Sequence, residues 1–275
     1  PLMQELVDRN IIDKFFFFFF SDPDNHIRLR FHFSDVSKIG SVIQHVHKAF
    51  KPYLEQGLVS KIQTDTYNRE LERYGSNSIE LAESLFFIDS VVTLNLLDLI
   101  DGEEGEIIRW QFAIRSMDDL LSNLNYTSTE KLQLMERIKT GFFKEHGESK
   151  ELKLQLDAKF RTERKLVEDI LNRSIDESRE IQPVIELLKW KSEQVQPIAE
   201  QLLTLKKNNN LQIDLNELAA SYIHMLLNRL FMARQRTYEL VVYDLLYRYY
   251  KSVAGREKSK HVEKISTADL IEALI

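Results

Sequence analysis

Hydrophobic residues at the start of the chain follow the pattern of β-strands. Positions 15–20 are six consecutive phenylalanines, so this segment has no polar face. A strand that is apolar on both sides is typical of the centre of a covered sheet, and we expect the whole run to be almost completely buried. The segment SDPDN at positions 21–25 is rich in turn residues. It predicts a reversal into a second, antiparallel strand.

The second predicted strand alternates strictly between apolar and basic residues. Its apolar positions are Ile27, Leu29, Phe31 and Phe33, and its basic positions are His26, Arg28, Arg30 and His32. The four basic side chains share one sheet face at a spacing of about 6.6 Å, and we call them the basic column. A solvated outer face of an edge strand is the usual reason for such a pattern. Because arginine binds carboxylates through paired hydrogen bonds, the column is also a candidate anion site.

Further sheet structure is predicted before the chain becomes helical. Residues 57–67 alternate like a third strand, and residues 35–51 carry apolar positions at helical spacing. The sheet should therefore contain at least three strands, with a helix crossing between the second and the third. A glycine turn at Gly75 follows, within the segment 66–90 that joins the sheet-forming part to the helical part.

Polar residues around this turn have two different explanations. Asn77 or Ser78 can cap the next helix, and Glu80 is placed to complete a capping box with Asn77. Capping does not explain Glu70 and Arg73, which stand three residues apart before the turn. At that spacing the two side chains can pair and hold each other ionised.

The remainder of the chain is predicted to be helical. The expected helices cover residues 77–100, 106–124, 129–145, 149–172, 214–231 and 236–252. A charged linker and a short amphipathic end should follow in residues 257–275. The fold class is therefore α+β, with a small antiparallel sheet from the N-terminal quarter covered by a predominantly helical remainder. We interpret residues 1–275 as one domain, with a sheet-forming part in 1–75 and a helical part in 76–275.

Composition excludes several classes of protein. The chain has 275 residues, of which 43% are hydrophobic and 29% charged, and no apolar run approaches the roughly 18 residues of a membrane span. It contains no cysteine, and its seven histidines form no HExxH pattern, so a structural metal is not expected. No secretion signal is visible, which favours the cytoplasm. The net charge of -6 argues against general affinity for nucleic acid.

One late helix carries a candidate for proton transfer. His224 and Asn228 stand four residues apart and share a helix face, while Leu226, Leu227 and Leu230 should face the core. The amide of Asn228 could orient the imidazole of His224. Taken alone, such a histidine is more often a satisfied core or boundary residue.

Three motifs together resemble a known family. The segments FFFFFFSDPDNHIRLRF, TDTYNRELERYGSNSIELAESLFFIDS and SYIHMLLNRLF are similar to the C-terminal domain of lantibiotic dehydratases, also called the thiopeptide-type bacteriocin biosynthesis domain. The resemblance covers about residues 14–252. It implies a lyase that eliminates glutamate from glutamylated Ser or Thr of a precursor peptide, leaving dehydroalanine or dehydrobutyrine. It implies no cofactor and no direct tRNA binding, because a separate glutamylation domain or protein uses glutamyl-tRNA.

The resemblance also implies particular site residues. The catalytic positions carried over are Arg28, Arg30, Glu70, Arg73 and His224, and the substrate-binding positions assigned with them are His26, Tyr67, Tyr74, Asn228 and Arg229. We expect Arg28 and Arg30 to line a pocket with Arg73, and His224 to face the same cavity as Glu70. The motifs do not decide which of Glu70 and His224 acts as the base.

Two departures from the family pattern leave alternatives open. Many relatives carry Arg-Tyr where this chain has Phe19 and Phe20, so one basic contact is missing. The glutamylation portion is also absent, which fits a separately encoded elimination protein, a fragment, or a relative with another reaction. One alternative is the cycloaddition that forms a pyridine ring in thiopeptides. A second alternative is a non-catalytic scaffold that presents a precursor peptide.

Overall fold

The computed structural model describes residues 2–22, 24–172 and 181–272, and this part of the chain is mostly helical with one small sheet. The strands are β1 (Lys14–Phe20) and β2 (His26–His32). The α-helices are α1 (Leu2–Asp8), α2 (Ile39–Glu55), α3 (Leu71–Tyr74), α4 (Ile79–Leu99), α5 (Gly102–Asn123), α6 (Ser128–Glu145), α7 (Lys150–Leu171), α8 (Gln182–Lys207), α9 (Leu215–Leu230) and α10 (Gln235–Glu272). A short 3-10 turn, Val36–Lys38, precedes α2 and is capped by the side chain of Asp35.

The sheet is antiparallel, as expected, but it has two strands within the described residues rather than three. In its register Phe16 lies opposite Arg30, and Phe18 lies opposite Arg28. Residues 57–67 were predicted to be a third strand, and this prediction is wrong because they pair with no strand. The side chains of Leu58 and Ile62 are 70% and 43% exposed, so neither fixes this segment to the core to offset the entropy of ordering it.

The phenylalanine run separates two hydrophobic clusters. Phe16 and Phe18 pack into the main core with α4 and α9, whereas Phe15 and Phe17 pack into a second core with α1 and α2. Both faces of β1 are therefore covered, as the absence of a polar face predicts. Burial of the whole run was predicted, but Phe19 and Phe20 are only half-buried because they reach the end of the sheet.

The turn before α4 is stabilised by partners other than the predicted capping box. The N-cap residue of α4 is Ser78, and it makes no side-chain cap hydrogen bond. Asn77 instead donates through Nδ2 to the carbonyl of Asn210, and Ser76 donates to Oε1 of Gln212. The loop before α9 therefore stabilises this turn. The two segments are far apart in the sequence and come together only in the folded chain.

Other helix ends agree better with the sequence. Ser149 and Asp214 cap α7 and α9 through their side chains, as the boundaries predicted at these residues imply. The predicted linker after residue 256 is wrong, since the backbone of α10 continues as a helix to Glu272. Residues 273–275 lie outside the described part of the chain. Charged residues with good helix propensity explain why the single Gly255 does not end the helix.

A buried ion pair links α4 to α8. Nζ of Lys191 lies 3.0 Å from Oδ1 of Asp89, and both side chains are less than one tenth exposed. The fully buried guanidinium of Arg229 lies close enough to interact with Asp89 electrostatically, and burial lowers the pKa of Arg229 to about 10. Charges at such depth are tolerated only when paired and hydrogen-bonded.

We expect Lys191→Met to lower the free energy of unfolding by about 3 kcal/mol or more, because it leaves the buried carboxylate of Asp89 without its ammonium partner. Urea unfolding would measure the change. The exposed Lys189→Met on the same helix is the matched control and should change stability by less than about 0.5 kcal/mol. Equal stability of both variants would show that the ion pair is dispensable.

Candidate functional site

The basic column lies on a face of the sheet that the helices approach. Directly opposite residues of an antiparallel pair share one face, so Arg28 and Arg30 lie on the side of Phe18 and Phe16, which pack into the main core. The column is therefore not a freely solvated outer face. Helix α9 contributes to the same core.

Phe20 organises the first half of the column. The guanidinium carbon of Arg28 lies 3.8 Å from the centre of the Phe20 ring, and the ring of His26 stacks on it at 5.5 Å. Nε of Arg28 donates to Nε2 of His26 at 3.1 Å, while Nδ1 of His26 contacts the carbonyl of Asp24. Phe20 supplies an aromatic face that holds the guanidinium by a cation–π contact.

Arg30 is the next residue of the column after Arg28, and it stands over Tyr67. Its guanidinium carbon lies 5.2 Å from the centre of the Tyr67 ring. Its buried Nε has no hydrogen-bond partner in the described part of the chain. Burial and, to a smaller extent, the charge of Arg28 lower the pKa of Arg30. Burial also raises the pKa of Tyr67, as does Glu83, to which its hydroxyl is hydrogen-bonded.

Neither arginine of the column has a carboxylate partner. Among the described residues, Arg28 and Arg30 form no ion pair, although Asp65 acts on Arg30 electrostatically. Two neighbouring guanidinium groups without a counter-charge repel each other and attract an anion. Their donor geometry suits a carboxylate.

Glu70 and Arg73 pair as predicted, at the start of α3. Nη1 of Arg73 lies 3.4 Å from Oε2 of Glu70, and the two side chains are 36% and 56% exposed. Such an exposed pair adds little stability. Arg73 also donates from Nε to Oγ of Ser221 at 3.1 Å, which attaches α3 to α9.

One face of α9 joins this arginine to the end of the sheet. Ser221, His224 and Asn228 lie at helical spacings of three and four, so they share that face. The Asn228 side chain accepts from the Phe19 amide at 2.8 Å and donates to the Phe19 carbonyl at 2.9 Å. His224 thus lies between two anchored points, about 4.5 Å along the helix from Ser221 and about 6 Å from Asn228.

The imidazole of His224 has a partner that the sequence did not predict. Its Nδ1 lies 2.5 Å from Oε1 of Glu239, a residue of α10 with no exposed surface. Arg236 donates to the other oxygen of Glu239, and Tyr243 donates to Oε1. The prediction that Asn228 orients the imidazole is wrong, because its amide is engaged by Phe19 and by Gln235. The sequence signal that could have identified Glu239 is an acidic residue among the apolar positions of α10.

The remaining site predictions divide by burial. His26, which belongs to the column, and Tyr67, which lies beside Arg30, are both half-buried. Tyr74, Asn228 and Arg229 are only 3%, 8% and 1% exposed, and their assignment to substrate binding stays a prediction. Arg229 donates to Ser90 and to the Met225 carbonyl inside the core. Tyr74 stacks on Tyr222, and burial raises the pKa of Tyr74 to about 12.

The structure brings the predicted catalytic residues to adjoining elements without joining all of them directly. Within the described chain, no hydrogen bond links His224 to Arg28, Arg30, Glu70 or Arg73. A cavity of about 260 Å³ between α5, α7 and α10 contains none of these residues. In the part that the structure describes, no group of three or more His, Asp or Glu side chains could hold a metal ion, and no helix could cross a membrane.

Comparison with known sequences extends the resemblance to most of the chain. The family model described as "Lantibiotic biosynthesis dehydratase C-term" matches residues 1–250. The nisin biosynthesis protein NisB of Lactococcus lactis subsp. lactis is 32% identical over 128 residues, which are 46% of this chain and 12% of that protein. The subtilin biosynthesis protein SpaB of Bacillus subtilis is 33% identical over 123 residues, 44% of this chain and 12% of that protein. The matched region spans about an eighth of these curated relatives.

Two solved structures have a similar fold. The tRNA-dependent lantibiotic dehydratase MibB from Microbispora sp. 107891 superposes with a TM-score of 0.68 at 18% identity, covering 94% of this chain and 26% of MibB. The structure of TsrL superposes with a TM-score of 0.66 at 16% identity, covering 92% of this chain and 88% of TsrL. At such identities the likeness concerns the fold alone. With the match of the family model over residues 1–250, the chain belongs to the family of lantibiotic dehydratase C-terminal domains.

Proposed function

We propose that this domain eliminates glutamate from glutamylated Ser or Thr residues of a precursor peptide, giving dehydroalanine or dehydrobutyrine. The observation that carries the proposal is the pair of arginines without carboxylate partners, Arg28 and Arg30, on the face of the sheet that packs with α9, the helix that contains His224. Membership of the dehydratase family supports the same reaction.

The reaction needs a base, a site for negative charge and a site for the leaving group. The base removes the proton on Cα of the modified residue, the Cα–Cβ double bond forms, and the Cβ–O bond breaks. The electron pair of the Cβ–O bond leaves with the carboxylate of the departing glutamate, so no oxidant or reductant takes part. Arg28 and Arg30 hold the glutamate carboxylates, and Arg73 stabilises the negative charge that develops next to Cα.

His224 is the base in this proposal, and Glu239 is its positioning residue. A carboxylate at Nδ1 keeps the proton on that nitrogen and leaves the lone pair of Nε2 free to accept the Cα proton. Glu70 is a weaker candidate, because its exposed carboxylate already pairs with Arg73. In this proposal Glu70 and Ser221 both accept hydrogen bonds from Arg73 and thereby orient it.

His224→Ala should reduce glutamate loss by about 100- to 10,000-fold, the usual contribution of a general base. Mass spectrometry of a glutamylated peptide after incubation would measure the loss, and circular dichroism would confirm an intact fold. Binding of the same peptide should persist. His47→Ala on the surface of α2 is the matched control and should retain full activity. Elimination at the normal rate by His224→Ala would exclude the histidine as base.

Arg28→Ala and Arg30→Ala should each lower kcat/KM by about 100-fold or more, because each removes a preorganised cation from the leaving-group site. Arg28→Lys should not restore activity, since an ammonium has no planar fork to lie over Phe20 and bind a carboxylate at two points. The exposed Arg164→Lys on α7 is the control. Full turnover by either alanine variant would contradict the assignment.

Glu239→Gln should lower kcat on the order of 1,000-fold with little change in KM, because an amide can turn its NH₂ group toward Nδ1 and enforce the wrong imidazole tautomer. Glu239→Asp keeps the charge and should retain more activity than Glu239→Gln. Steady-state kinetics on both variants, with unfolding curves, separates positioning from loss of fold. Equal activity of Glu239→Gln and the unmodified protein would remove Glu239 from the mechanism.

The same assay distinguishes the two alternative functions. A scaffold would bind the glutamylated peptide and release it with unchanged mass. A cycloaddition enzyme would instead convert a linear, already dehydrated peptide into a macrocycle. Release of glutamate by the unmodified protein, lost in His224→Ala, is the result expected for elimination.

A further inference from the structure

The outer edge of β1 is closed by side chains of two helices. The amide of Phe17 donates to Oγ of Ser90 on α4 at 3.2 Å. Both backbone groups of Phe19 bond to Asn228 on α9. The polar groups that a third strand would need on this side are therefore already satisfied.

These hydrogen bonds also define which backbone groups of β2 point outward. Since Phe17 and Phe19 turn their backbone groups away from β2, the alternate residues Phe16, Phe18 and Phe20 turn theirs toward it. The register pairs these three with Arg30, Arg28 and His26, respectively. The backbone groups of Ile27, Leu29 and Phe31 consequently face the opposite, outer edge of β2.

That outer edge of β2 is open. Among the described residues, β2 pairs with β1 alone, and the Leu29 carbonyl accepts a single long hydrogen bond of 3.5 Å from Nη1 of Arg30. Strand β2 contains no proline, and the side chain of Ile27 is 57% exposed. Natural sheets usually protect such an edge, and an unprotected one is a template for another strand.

We propose that an extended segment of the peptide substrate pairs with the outer edge of β2 as a third strand, through the backbone of Ile27, Leu29 and Phe31. This inference rests on the proposed function, because it places the peptide beside the arginines of the column. A residue of the added strand opposite Arg28 lies on the face of Arg28, with Cβ atoms about 5 Å apart. A glutamyl group on that residue comes within reach of both Arg28 and Arg30.

The alternation of a strand gives the peptide two kinds of position. Side chains that face the column are polar or glutamylated, and they recur about every 6.6 Å, the repeat that also separates Arg28 from Arg30. The side chains between them face Ile27 and Leu29, so apolar residues are favoured there. The edge of β2 and the basic column together select peptides in which polar or negatively charged residues alternate with apolar ones.

Charge and exposure argue against the other possible strands. A second copy paired through β2 would bring its own Arg28 and Arg30 next to this column, and like charges across a strand pair are destabilising. Residues 57–67 of this chain pair with no strand, and all of them except Val59 and Tyr67 are exposed, although Tyr67 is close to Arg30. A peptide carrying carboxylates complements the column.

Amide hydrogen exchange, followed by NMR on the whole chain, tests the pairing directly. The probe is a ten-residue peptide of alternating valine and serine, with one serine replaced by a glutamylated diaminopropionate, whose amide bond prevents elimination. On binding, the amides of Ile27, Leu29 and Phe31 should exchange at least about tenfold more slowly. The amides of Arg28 and Arg30, already paired with β1, should change little. Unchanged exchange at the three outward amides with the peptide bound would overturn the proposal.

Two N-methylated forms of the probe provide the matched control. Only alternate amides of an added strand face β2, so methylation of one alternate set should weaken binding about tenfold, while methylation of the other set should not. Equal weakening by both forms would contradict strand addition. Slow exchange of the three outward amides in the free protein would show that another part of the same chain covers the edge. Exchange that slows as the protein concentration rises would show that a second copy covers it. Either result would contradict the proposal.

The exchange experiment and the glutamate-loss assay can fail separately. Protection of the three outward amides without any glutamate loss from the ester peptide would retain the docking edge and refute the proposed reaction. Glutamate loss without protection would retain the reaction and refute the docking edge. Ile27→Pro, which removes one outward donor at an edge where proline is tolerated, should raise KM about tenfold, whereas Ile27→Ala should raise it less.

Discussion

Two hydrogen bonds between the Asn228 side chain and the backbone of Phe19 fix the position of the sheet against α9. They satisfy an edge that would otherwise be open, and they place Phe20 and Arg28 near the helix face that carries His224. Arg73 holds the same face at Ser221. Because α9 is rigid between these two anchors, residues separated by about 150 positions in the sequence are brought to one region of the fold.

The sequence predicted the elements that depend on local pattern. The paired strands, the helix starts at Ser149 and Asp214, and the ion pair of Glu70 with Arg73 all follow from spacing or turn chemistry within a few residues. The third strand failed because alternation alone does not show whether a partner strand is available.

Partners that depend on tertiary contact could not be predicted. Glu239 reaches His224 from the next helix, and Asn77 bonds to the loop before α9. The motifs named Asn228 and Arg229, but they could not show that both side chains are buried, with Asn228 bonded to the backbone of Phe19 and Arg229 to the side chain of Ser90. The sequence pattern named candidate site residues, and the folded chain adds the contacts that each of them makes.

Phe20 shows how an aromatic residue can take part in a charged site. A flat ring beneath Arg28 and beside His26 restricts both side chains without neutralising either of them. An acidic residue at this place would pair with Arg28 and compete with the substrate for it. The cation–π contact leaves the hydrogen-bond donors at the edge of the guanidinium available, which suits the carboxylate binding proposed for Arg28.

The unpaired arginines and the open edge lie on the same strand, and this coincidence constrains recognition. The charge of Arg28 and burial both disfavour the protonated form of Arg30, so an anion relieves an unfavourable arrangement that the folded protein maintains through its two hydrophobic cores. In the proposed complex, backbone pairing on β2 determines which peptide side chain lies opposite Arg28. The register of the peptide then decides whether the modified residue reaches His224. Recognition of this kind depends on spacing along an extended chain, so one site can process several residues of different local sequence.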